Sequence, residues 1–366
     1  MILGLLLARQ GHDVVVLEKH ADFLRDFRGD TVHPSTLELV AELVWLEEFL
    51  RLPHTKLSRI THRHEGQTRH VRRLRQATHK MQVRRLHASV DFLDFLAEKA
   101  GQYSGFRLVH RAQVTDLIEE SGRIVGVRAQ TPDGPLEVRA DLVVGADGRH
   151  STVRDRAGLD AAAGSPPKDV LWFRLSRHAE ETLPFFQSGP GRVLICIDRG
   201  DYWQIAYIIS GGTFSAVRAA GLEAFRTNII AIVPAFTDRV TEIGHWDDVQ
   251  VLSVRVDRPC RWYRPGLLCL GDAAHAMSPA GGDGINLAIQ DAVAAANTLG
   301  PAFEKGAPTV ADLRRIQRRR QLPTRLTQAI QTRTMRGLHP KNPHHDPSEH
   351  PPLAFGFSGC CLRCGI

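Results

Sequence analysis

The sequence predicts an α/β fold that is interrupted by an antiparallel β-sheet. A helix-like segment at residues 3–9 is followed by a glycine turn and the β-branched run at residues 14–17, which is the pattern of half a βαβ unit. A second apolar run, residues 266–270, leads through a glycine-rich loop into an alanine-rich helical segment. Between these regions, residues 170–256 contain separated short strands, which is typical of an antiparallel sheet inserted into an α/β domain.

Composition places the chain among ordinary globular proteins. Of its 366 residues, 43% are hydrophobic and 24% are charged, which excludes wholesale disorder. No apolar run approaches the roughly 20 residues that span a bilayer. Six cysteines are too few for a disulfide framework, and the apolar start lacks a basic region and a cleavage site. We therefore expect a cytoplasmic protein with no signal peptide and no transmembrane segment.

The net charge of +7 raises the question of nucleic acid. Much of the basic excess lies in residues 59–87, which contain no aromatic residue. Surfaces that bind single strands usually combine basic and aromatic side chains. Nucleic-acid binding is therefore disfavoured, and we expect a solvated basic surface near an anionic cofactor.

Helical and strand signals continue along the first half of the chain. Residues 34–50 have a helical pattern with Pro34 suited to the first turn, and residues 90–100 form another amphipathic pattern. A hairpin is predicted for the apolar runs on either side of Pro132-Asp133-Gly134. The strand at residues 142–144 then runs into Gly145-Ala146-Asp147-Gly148.

The most informative segment covers residues 266–288. An apolar strand ends in Gly271-Asp272, a loop with Pro279 and several glycines follows, and a long helix is predicted from Ile285. Glycines allow a backbone to approach a flat ligand closely, and a helix N-terminus offers free N–H groups to an anion. A carboxylate at the end of the strand can accept hydrogen bonds from ligand hydroxyls. This segment predicts a cofactor site.

The same segment resembles the Gly-Asp motif of the FAD-dependent aromatic hydroxylases, the group A flavoprotein monooxygenases related to p-hydroxybenzoate hydroxylase. The resemblance implies that Asp272 binds the ribityl chain of FAD and that Pro279 lies beside the isoalloxazine ring. It further implies that backbone groups of the helix start face the N1/O2 edge of the ring. The cofactor-binding candidates of this segment are Gly271, Asp272, Pro279, Gly282, Gly284, Ile285 and Asn286.

Two further motifs follow the order of that family. Residues 141–154 resemble its Asp-Gly motif, in which Asp147 would contribute to FAD and pyridine-nucleotide binding. Residues 14–19 resemble the second strand of the dinucleotide fold, where Glu18, followed by Lys19, would bond the adenosine ribose. Arg28 would be the arginine that faces the pyrophosphate or the flavin.

Three features depart from the family pattern. The first strand and Gly-x-Gly-x-x-Gly turn should precede Met1, so the sequence predicts an N-terminally truncated FAD fold with weakened pyrophosphate binding. The favoured explanation is a start codon placed too late or a fragment of a longer chain. The alternative is a truncated remnant that binds no FAD and serves as an interaction module. Asp283 would oppose the flavin anion unless it points to solvent, and residues 88–90 lack the expected glutamine before the helix.

The activity that the resemblance implies is aromatic hydroxylation with FAD, NADPH or NADH as co-substrate, and O₂. NAD(P)H would reduce FAD, O₂ would add at flavin C4a, and the hydroperoxide would oxygenate a phenolic or polyketide-like ring. No protein side chain is required as a nucleophile, so no catalytic residue is assigned. A flavin-dependent reductase or oxidase is the alternative on the same fold, whereas the Trp-x-Trp-x-Ile stretch expected of a halogenase is absent. The inserted sheet supplies the substrate-contact candidates Trp172, Arg174, Tyr202, Trp203 and Tyr207.

Other chemistry is disfavoured. Cys361 and Cys364 have zinc-like spacing, but only one such pair exists and it lies in a proline- and histidine-rich tail. His275 is expected to be a packed histidine. Five arginines on a late helix are expected to form a solvated face: Arg314, Arg315, Arg318, Arg319 and Arg320.

The expected domain organisation has four parts. Residues 1–157 and 254–334 form the two segments of the FAD-binding domain, and residues 158–253 form the β-sheet substrate domain. Residues 335–366 are predicted to be a disordered tail, because their composition buries too little apolar surface. The oligomeric state is not indicated by the sequence.

Overall fold

The computed structural model describes residues 1–23, 29–57, 59–64, 67–73, 84–163, 168–189, 192–254, 256–278 and 282–338. The α-helices within these ranges are α1 (Ile2–Arg9), α2 (Pro34–Glu42), α3 (Leu46–Phe49), α4 (Ser89–Ala100), α5 (Thr152–Arg156), α6 (Phe214–Ala219), α7 (Leu222–Ile232), α8 (Asp283–Phe303) and α9 (Val310–Leu338). No helix in these described ranges is long and apolar enough to cross a membrane.

The strands in the same ranges are short and numerous. In chain order they are β1 (Val14–Leu17), β2 (Gly29–Val32), β3 (His54–Leu57), β4 (Arg59–His64), β5 (Gln67–Arg73), β6 (Arg84–Ala88), β7 (Phe106–Val109), β8 (Gln113–Glu120), β9 (Arg123–Thr131), β10 (Gly134–Arg139), β11 (Val143–Gly145), β12 (Ala161–Ala163), β13 (Lys168–Ser176), β14 (Phe186–Gly189), β15 (Arg192–Asp198), β16 (Tyr202–Ser210), β17 (Gln250–Val254), β18 (Asp257–Pro259), β19 (Tyr263–Arg264) and β20 (Leu267–Cys269).

The described residues divide into two compact units. The first is drawn from residues 1–58, 74–164 and 255–330, and the second from residues 59–73, 165–254 and the part of α9 beyond residue 330. Helix α9 continues to Leu338, past the predicted start of the tail at residue 335. Residues 339–366, with the zinc-spaced cysteines, lie outside the described residues. The predicted division into four parts stays a prediction.

The first unit contains the parallel pairs expected of a dinucleotide fold. Strand β1 pairs in parallel with β7, and β11 pairs in parallel with β20. Helices α1, α4 and α8 share one core, in which Leu5, Phe92 and Leu96 are buried with Ile289. The predicted hairpin forms between β9 and β10, with Gly134 opposite Thr131. The predicted α/β fold class is confirmed.

One predicted helix is divided in two. The pattern at residues 34–50 predicts a single helix, but α2 ends at Glu42 and α3 begins at Leu46. Val44 between them has φ 65°, a left-handed conformation that an α-helix excludes. The Trp45 ring then packs edge-on against Phe95 of α4, with ring centroids 6.4 Å apart. Tertiary packing therefore outweighs local helical propensity at this position.

The second unit is built on a seven-stranded sheet in the order β17-β13-β16-β15-β14-β4-β5. Its pairs are antiparallel except for β14 with β4, which is parallel. The inserted antiparallel sheet predicted from the sequence is confirmed. The last two strands at one end of this sheet, β4 and β5, come from the basic segment, which lies within the residues predicted for the first part of the FAD-binding domain.

Helix α7 covers one face of this sheet. Strand alternation places Leu171 and Phe173 of β13 and Trp203 and Tyr207 of β16 in one buried core with Phe225 of α7. The Phe225 ring lies 5.4 Å from Tyr207 and 5.7 Å from Phe173, centroid to centroid. Trp203 and Tyr207 are therefore core residues, which removes them from the substrate-contact candidates.

Candidate functional site

The Gly271-Asp272 turn follows the buried strand β20. Gly271 is buried and adopts φ +57°, and a Cβ at this position would lie 3.0 Å from Cβ of Ala288 on α8. A side chain here would therefore force the turn and the helix apart. The side chain of Asp272 stays 34% exposed, and its Oδ2 lies 3.9 Å from Nη2 of Arg149. The turn thus presents a carboxylate that is accessible to a ligand.

The N-terminus of α8 lies beside that carboxylate. Gly282 precedes the helix at φ +65° and, having no side chain, does not cap it. A Cβ at Gly284 would be 4.0 Å from Oδ1 of Asp272, so the strand end and the helix start are neighbours. One short segment therefore combines a hydroxyl acceptor with the N–H groups and the positive end of a helix dipole.

Asn286 uses its whole side chain to hold the helix start. Its Oδ1 accepts hydrogen bonds from His33 N–H and from the Thr36 hydroxyl, each at 2.8 Å. Its Nδ2 donates to the carbonyls of Thr31 at 2.6 Å and Gly282 at 2.9 Å. Both donors and both acceptor sites of the amide are occupied. Asn286 can therefore reach a ligand only through its backbone. Ile285 is half-buried against the α1–α4–α8 core.

The Asp147 carboxylate caps α5 at the end of β11. Its Oδ1 accepts from the Ser151 hydroxyl at 2.5 Å and its Oδ2 accepts from Val153 N–H at 3.1 Å. Ser151 in turn accepts from Arg154 N–H at 2.9 Å. The Arg154 Nη1 donates to the carbonyl of Ala273 at 3.4 Å, which ties this motif to the Gly271-Asp272 turn. The two motifs lie together.

Glu18 follows β1 and remains half-exposed. Its backbone N–H donates to Val109 on β7 at 2.9 Å, and its Oε1 accepts from His20 N–H at 3.0 Å. The backbone thus fixes the position of this carboxylate while leaving it within reach of a ligand. Lys19 is exposed. Two further predicted site residues, Arg28 and Pro279, lie outside the described residues.

The Asp283 carboxylate at the start of α8 lies beside the side chain of His33. Its Oδ1 lies 3.7 Å from Nε2 of His33, and its side chain is 26% exposed. An acidic residue in the first turn of a helix is favourable because the dipole is positive there. The departure noted in the sequence is therefore accommodated locally.

A buried polar cluster behind the turn was only partly predicted. Asp291 is fully buried, and its carboxylate lies 2.5 Å from Nε2 of His275 and 2.7 Å from Nε of Arg320. His275 is packed as predicted. The expectation that Arg320 belongs to a solvated face is wrong, because this residue is only 8% exposed. The other four arginines predicted for that face of α9 are exposed. Sequence spacing could have indicated this, since Leu313, Ile316 and Arg320 lie on one face of α9.

Cys269 is a titratable group whose pKa is raised by this packing. Burial, and next the charge of Asp147, raise the pKa of the Cys269 thiol to about 12. The thiol is therefore neutral at physiological pH and contributes to the core of the first unit.

The residues present fit FAD. Ribityl and ribose hydroxyls require acceptors, which Asp272 and Glu18 supply, and the electron-rich edge of a reduced flavin requires the N–H groups that α8 offers. The close contact of Gly271 with Ala288 holds the turn that carries Asp272 against α8. An α/β unit with these features and an inserted antiparallel sheet is the architecture of an FAD-dependent monooxygenase.

Comparison with known proteins gives the family. Residues 1–329 match the family model described as an FAD binding domain. The chain is 34% identical over 309 residues to 6-methylpretetramide 4-monooxygenase of Streptomyces rimosus, covering 81% of this chain and 71% of the relative. It is 31% identical over 213 residues to anhydrotetracycline monooxygenase of the same organism. This match covers 55% of the chain and 41% of that relative. The chain belongs to the FAD-binding-domain family.

Solved structures share the fold. Pseudomonas aeruginosa PqsL in complex with 2-aminobenzoylacetate has a TM-score of 0.76 and 21% identity, covering 92% of this chain and 93% of that chain. The p-nitrophenol 4-monooxygenase PnpA of Pseudomonas putida DLL-E4 has a TM-score of 0.73 and 17% identity, covering 95% and 87%. At these identities the likeness concerns the fold.

Proposed function

We propose that this chain is an FAD- and NAD(P)H-dependent monooxygenase that hydroxylates a multi-ring phenolic substrate of the aromatic polyketide type. The observation that carries the proposal is the 34% identity to 6-methylpretetramide 4-monooxygenase over 81% of the chain. The position of the α8 N-terminus beside Asp272 supports it from the structure.

Each proposed cofactor contact has a distinct task. When bound, FAD would supply the redox chemistry that couples NAD(P)H oxidation and O₂ to hydroxylation of the aromatic ring. Asp272 accepts hydrogen bonds from ribityl hydroxyls, and Glu18 accepts them from the adenosine ribose. The backbone N–H groups of Gly284 and Ile285 stabilise negative charge on the flavin. Arg28, Lys19 and Asp147 stay proposed contacts on the evidence of the sequence.

The second unit offers donors for an oxygenated substrate. On the sheet face opposite α7, strand alternation places Trp172 and Arg174 of β13 with Tyr202 and Gln204 of β16. Trp172 Nε1 and Gln204 Nε2 are buried and have no hydrogen-bond partner among the described residues. Because a buried N–H without an acceptor is costly, these two donors suit the keto or phenolate oxygens of a polyketide. We assign substrate contacts to Trp172, Gln204, Arg174 and Tyr202.

The test compares NAD(P)H oxidation in air with and without aromatic compounds. A tetracyclic phenol should accelerate NAD(P)H oxidation and should gain one labelled oxygen atom from ¹⁸O₂, detected by mass spectrometry. Kynurenine is the matched comparison, because kynurenine 3-monooxygenase of Xanthomonas campestris is 29% identical to this chain over 245 residues. Kynurenine should be the poorer substrate.

Two outcomes would contradict the proposal. If kynurenine alone is hydroxylated, the polyketide assignment is wrong while the reaction stands. If no aromatic compound accelerates the oxidation and all reducing equivalents appear as peroxide, the chain is an oxidase or reductase on the same fold.

A further inference from the structure

The cluster formed by His275, Asp291 and Arg320 contacts the turn that carries Asp272, and we call it the Asp291 cluster. Asp291 Oδ1 accepts from Arg320 Nε at 2.7 Å, and Oδ2 lies 2.5 Å from His275 Nε2. A third partner is the backbone N–H of Gly271, which donates to Oδ2 at 3.3 Å. The side chains of Asp291 and His275 are 0% and 1% exposed, so the cluster cannot itself touch a ligand.

One face of α8 makes the contacts with the Gly271-Asp272 turn. Gly284, Ala288 and Asp291 are spaced four and three residues apart, so they lie on the same side of the helix. Gly284 is the neighbour of Asp272, Ala288 is the neighbour of Gly271, and Asp291 accepts from the Gly271 N–H. The turn therefore follows the helix face in register.

The turn is held at both sides of Gly271. Its N–H donates to Asp291, and its carbonyl accepts from the N–H of His275 at 2.8 Å. The ring of His275 is in turn hydrogen-bonded to Asp291. Gly271, the residue before Asp272, therefore lies within a closed set of hydrogen bonds. A change at Asp291 therefore displaces the turn even though the cluster is remote from solvent.

We propose that Asp291 is a positioning residue of the FAD site. It acts through Gly271 and keeps the Asp272 carboxylate at the N-terminus of α8, while Arg320 and His275 hold Asp291 in place. The inference rests on the proposed contact between Asp272 and FAD. Supporting groups of this kind commonly determine how accurately a ligand-binding side chain is placed.

The test must separate positioning from folding, since removing one partner of a buried ion pair is strongly destabilising. The double variant Asp291→Leu/Arg320→Met removes both charges and fills the space with apolar atoms, which proteins often tolerate. We expect the apoprotein to unfold in urea close to the wild-type midpoint. FAD affinity, measured by quenching of flavin fluorescence, should fall about tenfold or more, because the turn loses a hydrogen bond to a charged acceptor. The visible circular dichroism of bound flavin should change as well.

The second unit supplies a matched control. Glu181 accepts hydrogen bonds from Arg239 and from Trp203 Nε1, so it is likewise a carboxylate between an arginine and an aromatic N–H. The double variant Glu181→Leu/Arg239→Met should leave the FAD affinity and the flavin dichroism unchanged. If it weakens FAD binding as much as the Asp291 pair does, the effect is general destabilisation and the inference is wrong.

Single variants at His275 give an independent readout. His275→Gln keeps an N–H donor that can reach Asp291 and should retain FAD binding, whereas His275→Leu should lose about tenfold. Wild-type FAD affinity in the Asp291→Leu/Arg320→Met variant would overturn the inference. The variant Asp272→Ala is measured in the same assay. If Asp272→Ala loses FAD affinity while the Asp291→Leu/Arg320→Met variant retains it, only the role of Asp291 is rejected. Retained affinity in Asp272→Ala rejects the proposed FAD contact itself.

Discussion

Asn286 on α8 donates a hydrogen bond of 2.6 Å to the carbonyl of Thr31 on β2, across 255 residues of chain. The same amide accepts from His33 N–H and from the Thr36 hydroxyl. One buried side chain thereby joins the start of α8 to an early strand and helix of the same unit. The proposed flavin-facing N–H groups are held in place by contacts made far away in the sequence.

Asn286→Ala should lower the free energy of unfolding by about 2–4 kcal/mol, since four hydrogen bonds made by one buried side chain are lost. Asn297→Ala on the exposed side of the same helix should change it by less than about 0.5 kcal/mol. Urea denaturation of the two apoproteins measures the difference. Equal losses would show that Asn286 does not anchor the helix.

Gly282→Ala should destabilise the protein and weaken FAD binding. The left-handed backbone at φ +65° costs an alanine about 1–2 kcal/mol, and the new Cβ would lie 2.5 Å from Thr31 Oγ1. Gly122→Ala, at φ +78° with no heavy atom within 4 Å, carries the backbone strain alone. A steric cause would be supported if Gly122→Ala lowers the free energy of unfolding less than Gly282→Ala does. It would also be supported if the double variant Gly282→Ala/Thr31→Ala regains part of the lost stability. A Thr31 substitution without benefit would refute it.

Asp272→Ala should weaken FAD binding by about 1.5–3 kcal/mol, the scale of hydrogen bonds to a charged group. Asp283→Asn should be nearly neutral, because Asp283 lies 3.7 Å from His33 and is assigned no cofactor contact. Fluorescence titration of both variants with FAD checks this pair. A larger loss in the Asp283 variant would mean that the flavin has been assigned to the wrong carboxylate.

The buried thiols should resist alkylation. Burial raises the pKa of Cys196, like that of Cys269, to about 12, so almost no thiolate exists at pH 8. Cys260 is exposed and should be modified by iodoacetamide much faster, as site-resolved mass spectrometry can show. In urea the three should react alike. Rapid labelling of folded Cys269 would contradict the buried turn.

The same shifts predict a pH dependence of stability with a definite sign. An unfolded cysteine ionises near pH 8.5, whereas the folded thiols stay protonated to about pH 12. Their stabilising contribution is therefore complete below about pH 8.5 and is lost as the pH rises towards 12. The free energy of unfolding should fall over that range, and it should fall less steeply in Cys196→Ala/Cys269→Ala.

Local sequence patterns predicted much of the architecture. The β-branched run at β1, the hairpin at Gly134 and the strand before Gly271 form as expected, since each depends on neighbouring residues and on simple alternation. The division at Val44 was not predicted, because it depends on Trp45 packing against a helix that follows about fifty residues later.

The sequence by itself determined the class of fold, the order of the motifs and the residue types suited to FAD, because glycines, strand-end carboxylates and helix starts are local features. Only the tertiary structure decided which side chains face a ligand and which support others. Arginine is usually a surface residue type, yet Arg320 is buried against Asp291. Likewise the side chain of Asn286 donates to the carbonyl of Thr31 inside the protein. The reason is physical: a buried polar group must find its partner in three dimensions, and that partner lies on another element of the fold.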